Sequence, residues 1–346
     1  MSKVEKNVQS MIFKKYDIKT QDIILERNKG RAIWFVNTEK GKMILKKFSR
    51  PEPWTKFIIA GMEYLGKNGI NIPKIYFSSE NKPYTVYNSS CYILMEVIDG
   101  RPPRYNNMDD LKAIVKELGK FHNASKGFVP PDDSGGTIDL LGKWPDMMMS
   151  GLKIMYYAYE IGKWEKRNLE LRDVIVRELP YLIERTKQII LALKDSKYTS
   201  WVERARKEGS LCHLDYARYN LRITPNNKVY IFDFDTLAME LPVTDIRKLI
   251  YHIYYTNLYD KETISKVLSW YQQCNPLTKE EWQVAKLILL YPIEVIISLE
   301  KYIKINRHQD KNRIMNLAIK AIETEKRLYS DLKNFDKVVN KIVMKS

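Results

Sequence analysis

The chain has 346 residues, of which 45% are hydrophobic and 12% are aromatic. A chain of this length usually folds around more than one core, and this aromatic content excludes a disordered protein. Lysine and arginine outnumber aspartate and glutamate by 58 to 42, and the resulting net charge of +16 favours anionic partners. The basic residues form no arginine-rich arm, so we do not expect nucleic acid to be a partner.

The apolar segments of the sequence predict neither a secretory signal nor a membrane span. Residues 1–18 carry charges throughout, unlike a signal peptide. The longest apolar run, Leu287 to Leu299, is interrupted by Pro292 and Glu294 and is too short to cross a bilayer. The three cysteines are far apart and share no C-x-x-C spacing, which is typical of a reducing compartment. We therefore expect a cytoplasmic protein with no membrane partner.

The first hundred residues are predicted to form a small sheet. Three β-rich runs between residues 23 and 48 are separated by the turn signals NKG and EKG, which predicts an antiparallel meander. A helix is predicted from Trp54 to Lys67, where the pair Asn68-Gly69 ends it. Two more strands, KIYFS and CYILMEVI, follow with a polar turn between them. Residues 1–98 are thus predicted to form an N-terminal lobe with an antiparallel five-stranded sheet and one helix.

The rest of the chain has a helical pattern. In residues 108–124 the apolar positions recur at the i, i+3, i+4, i+7 spacing of a helix. The one break lies at residues 209–236, where two short β-rich runs flank a loop. Residues 99–346 are therefore predicted to form a mostly helical C-terminal lobe, which makes the fold class α+β.

The residues with the clearest chemical pattern lie in this break. His213, Asp215 and Asn220 form an H-x-D-x-x-x-x-N string, and Asp233 follows thirteen positions after Asn220. Phosphoryl transfer needs one carboxylate to accept the proton of the attacking hydroxyl, and a second carboxylate with an amide oxygen to hold Mg²⁺ against a triphosphate. A loop of four residues can turn Asp215 and Asn220 toward one cleft. The alternative is a core histidine followed by ordinary turn residues.

The first lobe offers a candidate for binding phosphate. The third β-rich run contains MILK, which resembles the V-A-I-K of kinases and makes Lys46 the candidate to pair with the α- and β-phosphates. Lys47 is the adjacent alternative, because successive side chains of a strand point to opposite faces. Either lysine could also be an ordinary solvated residue of an edge strand.

With these motifs in order, the whole chain resembles the aminoglycoside/choline phosphotransferase-like kinases, and among them the CotS-type spore coat proteins. YILMEVIDGRPP resembles the hinge, LGKFHNASKGF the end of the following helix, LCHLDYARYN the catalytic loop, and IFDFDTLAMELPVTDIRKLI the metal strand running into the next helix. The resemblance implies a protein-kinase-like fold of two lobes. It also implies ATP and Mg²⁺ as cofactors, a small-molecule acceptor, and other spore coat proteins as further partners.

The resemblance implies a role for each residue that matches a motif. Asp215 would be the catalytic base, and His213 would brace the catalytic loop. Asn220 and Asp233 would be the magnesium ligands, and Lys46 would bind the phosphates. The catalytic loop and the acceptor pocket would belong to the C-terminal lobe.

At the hinge, the resemblance implies that main-chain groups of Glu96 and Ile98 hydrogen-bond adenine, with Met95 packing nearby. The leading hypothesis is therefore an ATP-dependent phosphotransferase that acts on an unidentified small hydroxylated molecule. Its location would be the cytoplasm of the mother cell or the spore coat. The intact set of base and metal residues favours this hypothesis, because a purely structural role makes no chemical demand on them.

Four departures favour an alternative, a structural spore coat or scaffold protein with little or no catalytic activity. The helix after the lysine strand has no glutamate near Ile58, where kinases place the partner of that lysine, and Glu63 is the nearest acid. The phosphate-covering loop, residues 27–31, has a single glycine. Leu214 stands where small-molecule kinases commonly have glycine, and Asp235 stands where protein kinases have the glycine of D-F-G.

Overall fold

The structure of the chain is a computed structural model, and it describes residues 11–27, 32–48, 50–133, 138–305 and 310–344. The chain divides into two compact units, each discontinuous in sequence. Unit 1 comprises Met1–Arg104, Phe121–Asp139 and Gly209–Met239. Unit 2 comprises Tyr105–Lys120, Leu140–Glu208 and Glu240–Ser346. The lobe boundary expected at residue 98 stays a prediction.

Unit 1 contains the expected antiparallel sheet. Its strands are β1 (Thr20–Arg27), β2 (Ile33–Thr38), β3 (Gly41–Lys47), β4 (Ile75–Tyr76), β5 (Thr85–Tyr87) and β6 (Ser90–Glu96). They are arranged in the order β1-β2-β3-β6-β4, with β5 also paired to β6. Strand β5 was not predicted, because its three residues lie inside a segment whose polar composition indicated a turn. Threonine, valine and tyrosine all favour extended backbone, and pairing with β6 is enough to order them.

The two faces of this sheet have different surroundings. On β2 and β3, Trp34, Val36, Met43 and Leu45 are buried in an apolar cluster with residues from the N-terminal segment. The residues between them in sequence point to the other face, because side chains alternate along a strand. Lys46 lies on that other face, together with Ile33, Phe35 and Ile44.

Helix α1 (Glu52–Lys67) follows β3, begins two residues before the predicted Trp54 and ends at Lys67 as predicted. Asn68 caps its C-terminus, and Gly69 has a φ of 87°, a left-handed conformation that favours glycine. Its apolar face is buried, and the ring of Phe57 lies 5.8 Å from that of Phe128. Gly61 lies against Leu237, so close that a methyl group there would be 2.5 Å from the Leu237 side chain.

The remaining part of unit 1 consists of short strands and loops. The strands are β7 (Leu211–Cys212), β8 (Leu221–Ile223), β9 (Val229–Ile231) and β10 (Ala238–Met239). Strands β8 and β9 form a hairpin, and β7 pairs with β10. Two 3-10 turns, Arg218–Asn220 and Phe234–Thr236, precede β8 and follow β9. The hairpin is joined to the segment after β6 by two backbone hydrogen bonds between Arg101 and Ile223, 2.8 and 3.0 Å long.

The other helices are α2 (Met108–Ala124), α3 (Trp144–Gly162), α4 (Leu169–Lys194), α5 (Tyr198–Glu208), α6 (Val243–Tyr255), α7 (Thr263–Gln272), α8 (Lys279–Leu290), α9 (Ile293–Ile303), α10 (Lys311–Leu332) and α11 (Phe335–Val343). Helix α2 has the bounds expected from its periodicity. The C-terminal part of the chain is mostly helical, as predicted.

Unit 2 has a core of packed helices that includes a buried ion pair. Arg185 on α4 donates to Glu325 on α10 over 2.6 Å, and both side chains are almost fully buried. Burial raises the pKa of the Glu325 carboxyl. Arg247 on α6 lies 3.6 Å from the same carboxylate and donates two hydrogen bonds to the Tyr291 carbonyl. These contacts fix α4, α6 and α10 to one another inside the unit.

Among the described residues, one helical stretch, Lys279–Ile303, is long and apolar enough to cross a membrane. It consists of α8 and α9, which are separated at Tyr291-Pro292, and 61% of its most apolar window is buried inside the protein. Core helices that never contact lipid meet the same two criteria, so the stretch is weak evidence for a span.

Candidate active site

Lys46 lies at the centre of a cluster of charges in unit 1. Its Nζ is 2.6 Å from Oδ1 of Asp233 and 2.6 Å from Oδ1 of Asp235. The Lys46 and Asp235 side chains are 6% and 1% exposed, whereas that of Asp233 is 26% exposed. One ammonium thus contacts two carboxylates, one of them buried and the other open to solvent. The contact with Asp233 is also a charge-assisted hydrogen bond, and such bonds are the strong kind at this length.

The local backbone explains how both aspartates reach the same lysine. Asp233 lies two residues after the end of β9 and has φ and ψ of 66° and 60°, a left-handed conformation that turns the chain sharply. Phe234 follows in a 3-10 turn and is buried, with its ring 5.1 Å from the ring of His213. The hydroxyl of Thr236 donates to the His213 carbonyl over 2.7 Å, which fixes the end of this turn.

Asp215 and Asn220 are joined by hydrogen bonds inside the loop of residues 213–220. The Asn220 amide Nδ2 donates to Oδ2 and to the main-chain carbonyl of Asp215, over 2.9 Å in both cases. The Tyr219 hydroxyl donates to Oδ1 of Asp215 over 3.0 Å. Both carboxylate oxygens of Asp215 therefore have fixed directions, and the amide oxygen of Asn220 is turned away from Asp215. The Phe232 N–H donates to the Asn220 carbonyl, which ties this loop to the residue before Asp233.

His213 is fully buried beneath the loop. Its Nε2 lies 3.1 Å from the Phe232 carbonyl, and its Nδ1 lies 3.3 Å from the Asp215 N–H. A neutral ring protonated on Nε2 satisfies both contacts, since Nε2 then donates and Nδ1 accepts. The imidazole therefore bridges the segments that carry Asp215 and Asp233. Leu214, between His213 and Asp215, has a φ of 61°, in the left-handed region where a leucine is strained.

A cavity of about 590 Å³ in unit 1 brings together most of the residues selected from the sequence. The predicted residues that line it are Lys46, Met95, Glu96, Ile98, Asp215, Asn220 and Asp233. His213 is not among the lining residues. The Glu96 N–H donates to the Lys74 carbonyl over 3.0 Å, so at this residue the carbonyl is the main-chain group left for a ligand.

Of the two adjacent lysines of β3, Lys46 is the one that lines the cavity. Lys47 is on the opposite face of β3 from the cavity, where it is half-buried. Ile58 is fully buried in α1, and both ion pairs of Lys46 are made with aspartates of the 3-10 turn segment. Residues 28–31 of the expected phosphate-covering loop lie outside the described residues.

Two side chains of the site were not predicted to take part in it. Asp235 was recognised only as a departure from D-F-G, although its spacing of two from Asp233 could have indicated a second acid at the site. Tyr219 contacts Asp215 and lines the cavity, yet tyrosine inside an H-x-D-x-x-x-x-N string carries no specific signal.

A family model described as spore coat putative kinase YutH matches residues 9–335. The chain belongs to this family. Spore coat protein S of Bacillus subtilis strain 168 is 24% identical to it over 290 residues, which is 83% of this chain and 82% of that protein. Both findings confirm the predicted resemblance to the kinase-like spore coat proteins.

Solved structures with a similar fold are phosphotransferases. An aminoglycoside phosphotransferase from Alicyclobacillus acidocaldarius superposes with a TM-score of 0.79 at 15% identity, covering 96% of each chain. The amicoumacin kinase hAmiN, solved with AMP-PNP, Ca²⁺ and Ami, gives a TM-score of 0.66 at 14% identity, covering 94% of each chain. A microcompartment-associated aminopropanol kinase gives 0.61 at 13% identity, covering 94% of this chain and 98% of that one. These likenesses confirm the kinase-like α+β fold.

Proposed function

We propose that the protein is an ATP-dependent phosphotransferase that phosphorylates a small hydroxylated molecule. The observation that carries the proposal is the convergence of Lys46, Asp215, Asn220 and Asp233 on one cavity of unit 1. These residues come from β3 and from both sides of the β8–β9 hairpin. A structural role would not require two carboxylates, an amide and an ammonium to meet in one cavity.

In this proposal Asp215 is the general base. Hydrogen bonds from Asn220 and Tyr219 orient its two oxygens, and each oxygen keeps a further lone pair for the acceptor hydroxyl. In the proposed reaction the acceptor oxygen forms a bond to the γ-phosphorus while the bond from that phosphorus to the ADP oxygen breaks. The hydroxyl proton passes to Asp215. His213 would keep the loop in place, because its ring bridges Asp215 and Phe232.

The donor set suits a divalent cation such as Mg²⁺. Asn220 donates both of its observed amide contacts to Asp215, which leaves its oxygen as a hard ligand. Asp233 supplies a carboxylate that is partly open to the cavity. A divalent cation held by these two residues would neutralise charge on the β- and γ-phosphates. Lys46 would contact the phosphates from the sheet side.

The hinge would bind the adenine ring. The Ile98 N–H would donate to the base and the Glu96 carbonyl would accept from it, while Met95 packs alongside. The Glu96 N–H has no part in this, since it donates to Lys74. The amicoumacin kinase with a similar fold was solved with an ATP analogue and a divalent cation, which supports the assignment of a nucleotide and a metal.

The site of action that we propose is the spore coat or the cytoplasm of the mother cell. It rests on the family description and on spore coat protein S, both of which carry spore coat names. Other spore coat proteins are the partners that such a location would provide. The net charge of +16 favours acidic surfaces among them.

A second candidate function is a structural spore coat protein with the same fold and little or no catalysis. It is favoured by Ile58, which is buried where kinases of this type place the acid that pairs with the lysine. Nucleotide binding is one observable property in which the two candidates differ. The enzyme must bind nucleotide in a metal-dependent way, whereas the scaffold has no need to.

Titration calorimetry with Mg-ATP tests the proposal directly. Asp233→Asn should abolish magnesium-dependent nucleotide binding, because it removes a charged ligand of the metal. Asp132→Asn, an exposed aspartate of the same unit, is the matched control and should bind as the wild type does. Unchanged Mg-ATP affinity in Asp233→Asn would show that the metal lies elsewhere.

Turnover tests the role of the base. Asp215→Ala should leave ATP affinity nearly intact and reduce phosphoryl transfer, or slow ATP hydrolysis, by about a hundredfold or more. Equal turnover in the two proteins would exclude Asp215 as the base. A wild type that binds no nucleotide at millimolar concentration, with or without Mg²⁺, would reject the enzyme and leave the scaffold as the better account.

A further inference from the structure

Lys46 lacks the usual partner on the neighbouring helix, and the structure offers a replacement. Kinases of this type are expected to hold this lysine with a helix glutamate, which here would lie near the buried Ile58. Lys46 is nevertheless fixed, with its Nζ 2.6 Å from Asp233 and 2.6 Å from Asp235. Something other than the helix therefore determines where the ammonium lies.

We propose that Asp235 is the positioning residue for Lys46 and takes the place of the helix acid. The inference rests on the proposed function. It goes beyond that function because it assigns a role to a residue that belongs neither to the H-x-D-x-x-x-x-N pattern nor to the proposed metal ligand Asp233. Asp235 would hold the ammonium at a constant position while Asp233 exchanges its contact with Lys46 for a contact with the metal.

Burial distinguishes the two aspartates. The Asp235 side chain is 1% exposed and is absent from the cavity lining, whereas Asp233 is 26% exposed and lines the cavity. A buried carboxylate is costly to separate from its counter-ion, so the Lys46–Asp235 contact is the one expected to persist. Asp233 can leave the lysine at smaller cost, since water and a cation can reach it.

Charge supports the same division of roles. The cluster of Lys46, Asp233 and Asp235 contains one ammonium and two carboxylates, a formal net charge of −1. A divalent cation bound by Asp233 would add two positive charges to this cluster. It would also compete with Lys46 for the same carboxylate oxygen. Asp235 then remains the acid beside Lys46, which stays directed at the phosphates. The 3-10 turn that carries Asp235 is held by the hydrogen bond from Thr236 to His213, so the carboxylate position is fixed by the catalytic loop.

The competing explanation is that Asp235 is a second metal ligand. The two explanations predict different dependence on Mg²⁺ and on Lys46. A residue that acts through Lys46 affects ATP binding without Mg²⁺ as well as with it, and its effect vanishes once Lys46 is removed. A metal ligand affects only the Mg²⁺-dependent part of binding, and its effect persists without Lys46.

The experiment is a double-mutant cycle on ATP affinity with Asp235→Asn, Lys46→Met and the double variant, each titrated in EDTA and in Mg²⁺. We expect Asp235→Asn to weaken ATP binding about tenfold in both media, and the double variant to bind as Lys46→Met alone does. A loss confined to Mg²⁺ that persists in the Lys46→Met background would overturn the proposal in favour of the metal ligand. ATP affinity unchanged by Asp235→Asn would overturn it outright.

The outcome remains interpretable if Asp235→Asn does not fold. The double variant should then still fold as Lys46→Met does, because the proposed role is exercised through Lys46, and its failure to fold would contradict that role. Asp132→Asn serves again as the control. If the wild type binds no nucleotide, the proposed function and this inference are both rejected. If the wild type binds ATP and Asp235→Asn binds it with the same affinity, the inference alone is rejected.

Discussion

Removing the Lys46 ammonium should destabilise the ligand-free protein far more than removing its neighbour. Lys46→Met keeps most of the aliphatic stem but takes the positive charge away from Asp233 and Asp235, one of which is buried. Breaking a buried ion pair by deleting one partner costs about 3–5 kcal/mol. Asp233 is 26% exposed and regains some hydration, so the lower end, about 3 kcal/mol, is the expected loss.

Lys47→Met is the matched control, because Lys47 is half-buried on the opposite face of the same strand. Substitutions away from such charge clusters change stability by about 0.5 kcal/mol or less. Urea unfolding of the two variants, followed by circular dichroism, gives the comparison. Millimolar Mg²⁺ should also stabilise Lys46→Met more than the wild type, since the two carboxylates then have no ammonium between them. If Lys46→Met and Lys47→Met are equally stable and Mg²⁺ changes the stability of neither, the described cluster of charges around Lys46 is refuted.

Three further predictions test the backbone and the charges around the site and in unit 2. Leu214→Gly should keep the unfolding free energy within about 1 kcal/mol of the wild type, since relief of the left-handed strain offsets the entropy cost of ordering glycine. Leu214→Val should lower the unfolding free energy, measured by urea unfolding, by more than about 1 kcal/mol. Gly100→Ala should raise the urea sensitivity and weaken ATP binding, because the added methyl would lie 2.9 Å from the Ile223 carbonyl oxygen beside the hinge. Glu165→Gln should cost about 3 kcal/mol at pH 7, because hydrogen bonds from Arg167 lower the Glu165 pKa from 4.5 to about 2. A pKa that is lower in the folded state stabilises the fold at pH values above the pKa of the unfolded chain. The difference in unfolding free energy between the wild type and Glu165→Gln should therefore shrink as the pH falls from 4.5 toward 2, which acid unfolding measures.

Local elements of the fold were predictable because their signals are local. The pair Asn68-Gly69 marked the end of α1, and the structure gives the C-cap and the left-handed glycine at those two residues. The helical spacing of apolar residues gave both ends of α2. Strand β5 was missed for the same reason, since its three residues are outnumbered by polar neighbours and are ordered by pairing with β6.

The part of the candidate site that lies in one short stretch of sequence was predictable. The H-x-D-x-x-x-x-N spacing is contained in one loop, and hydrogen bonds within that loop join Asp215 to Asn220. The choice between Lys46 and Lys47 could not be made from propensity, because both lysines suit a strand equally well. It depends on the pairing of β3 with β2 and β6, which decides the face that each side chain occupies.

The contact between Lys46 and Asp235 could not be predicted from either segment alone. The two residues are 189 positions apart, and the pattern of kinases directs attention to the helix after the lysine strand, where this chain has Ile58. Only the left-handed turn at Asp233, followed by the buried Phe234, brings Asp235 back to the ammonium. With Asp235 in the proposed positioning role, the absence of a helix acid is compatible with a working site, because the acid comes from the residues that follow β9. Activity should accordingly depend on Asp235, with the helix position near Ile58 free to remain apolar.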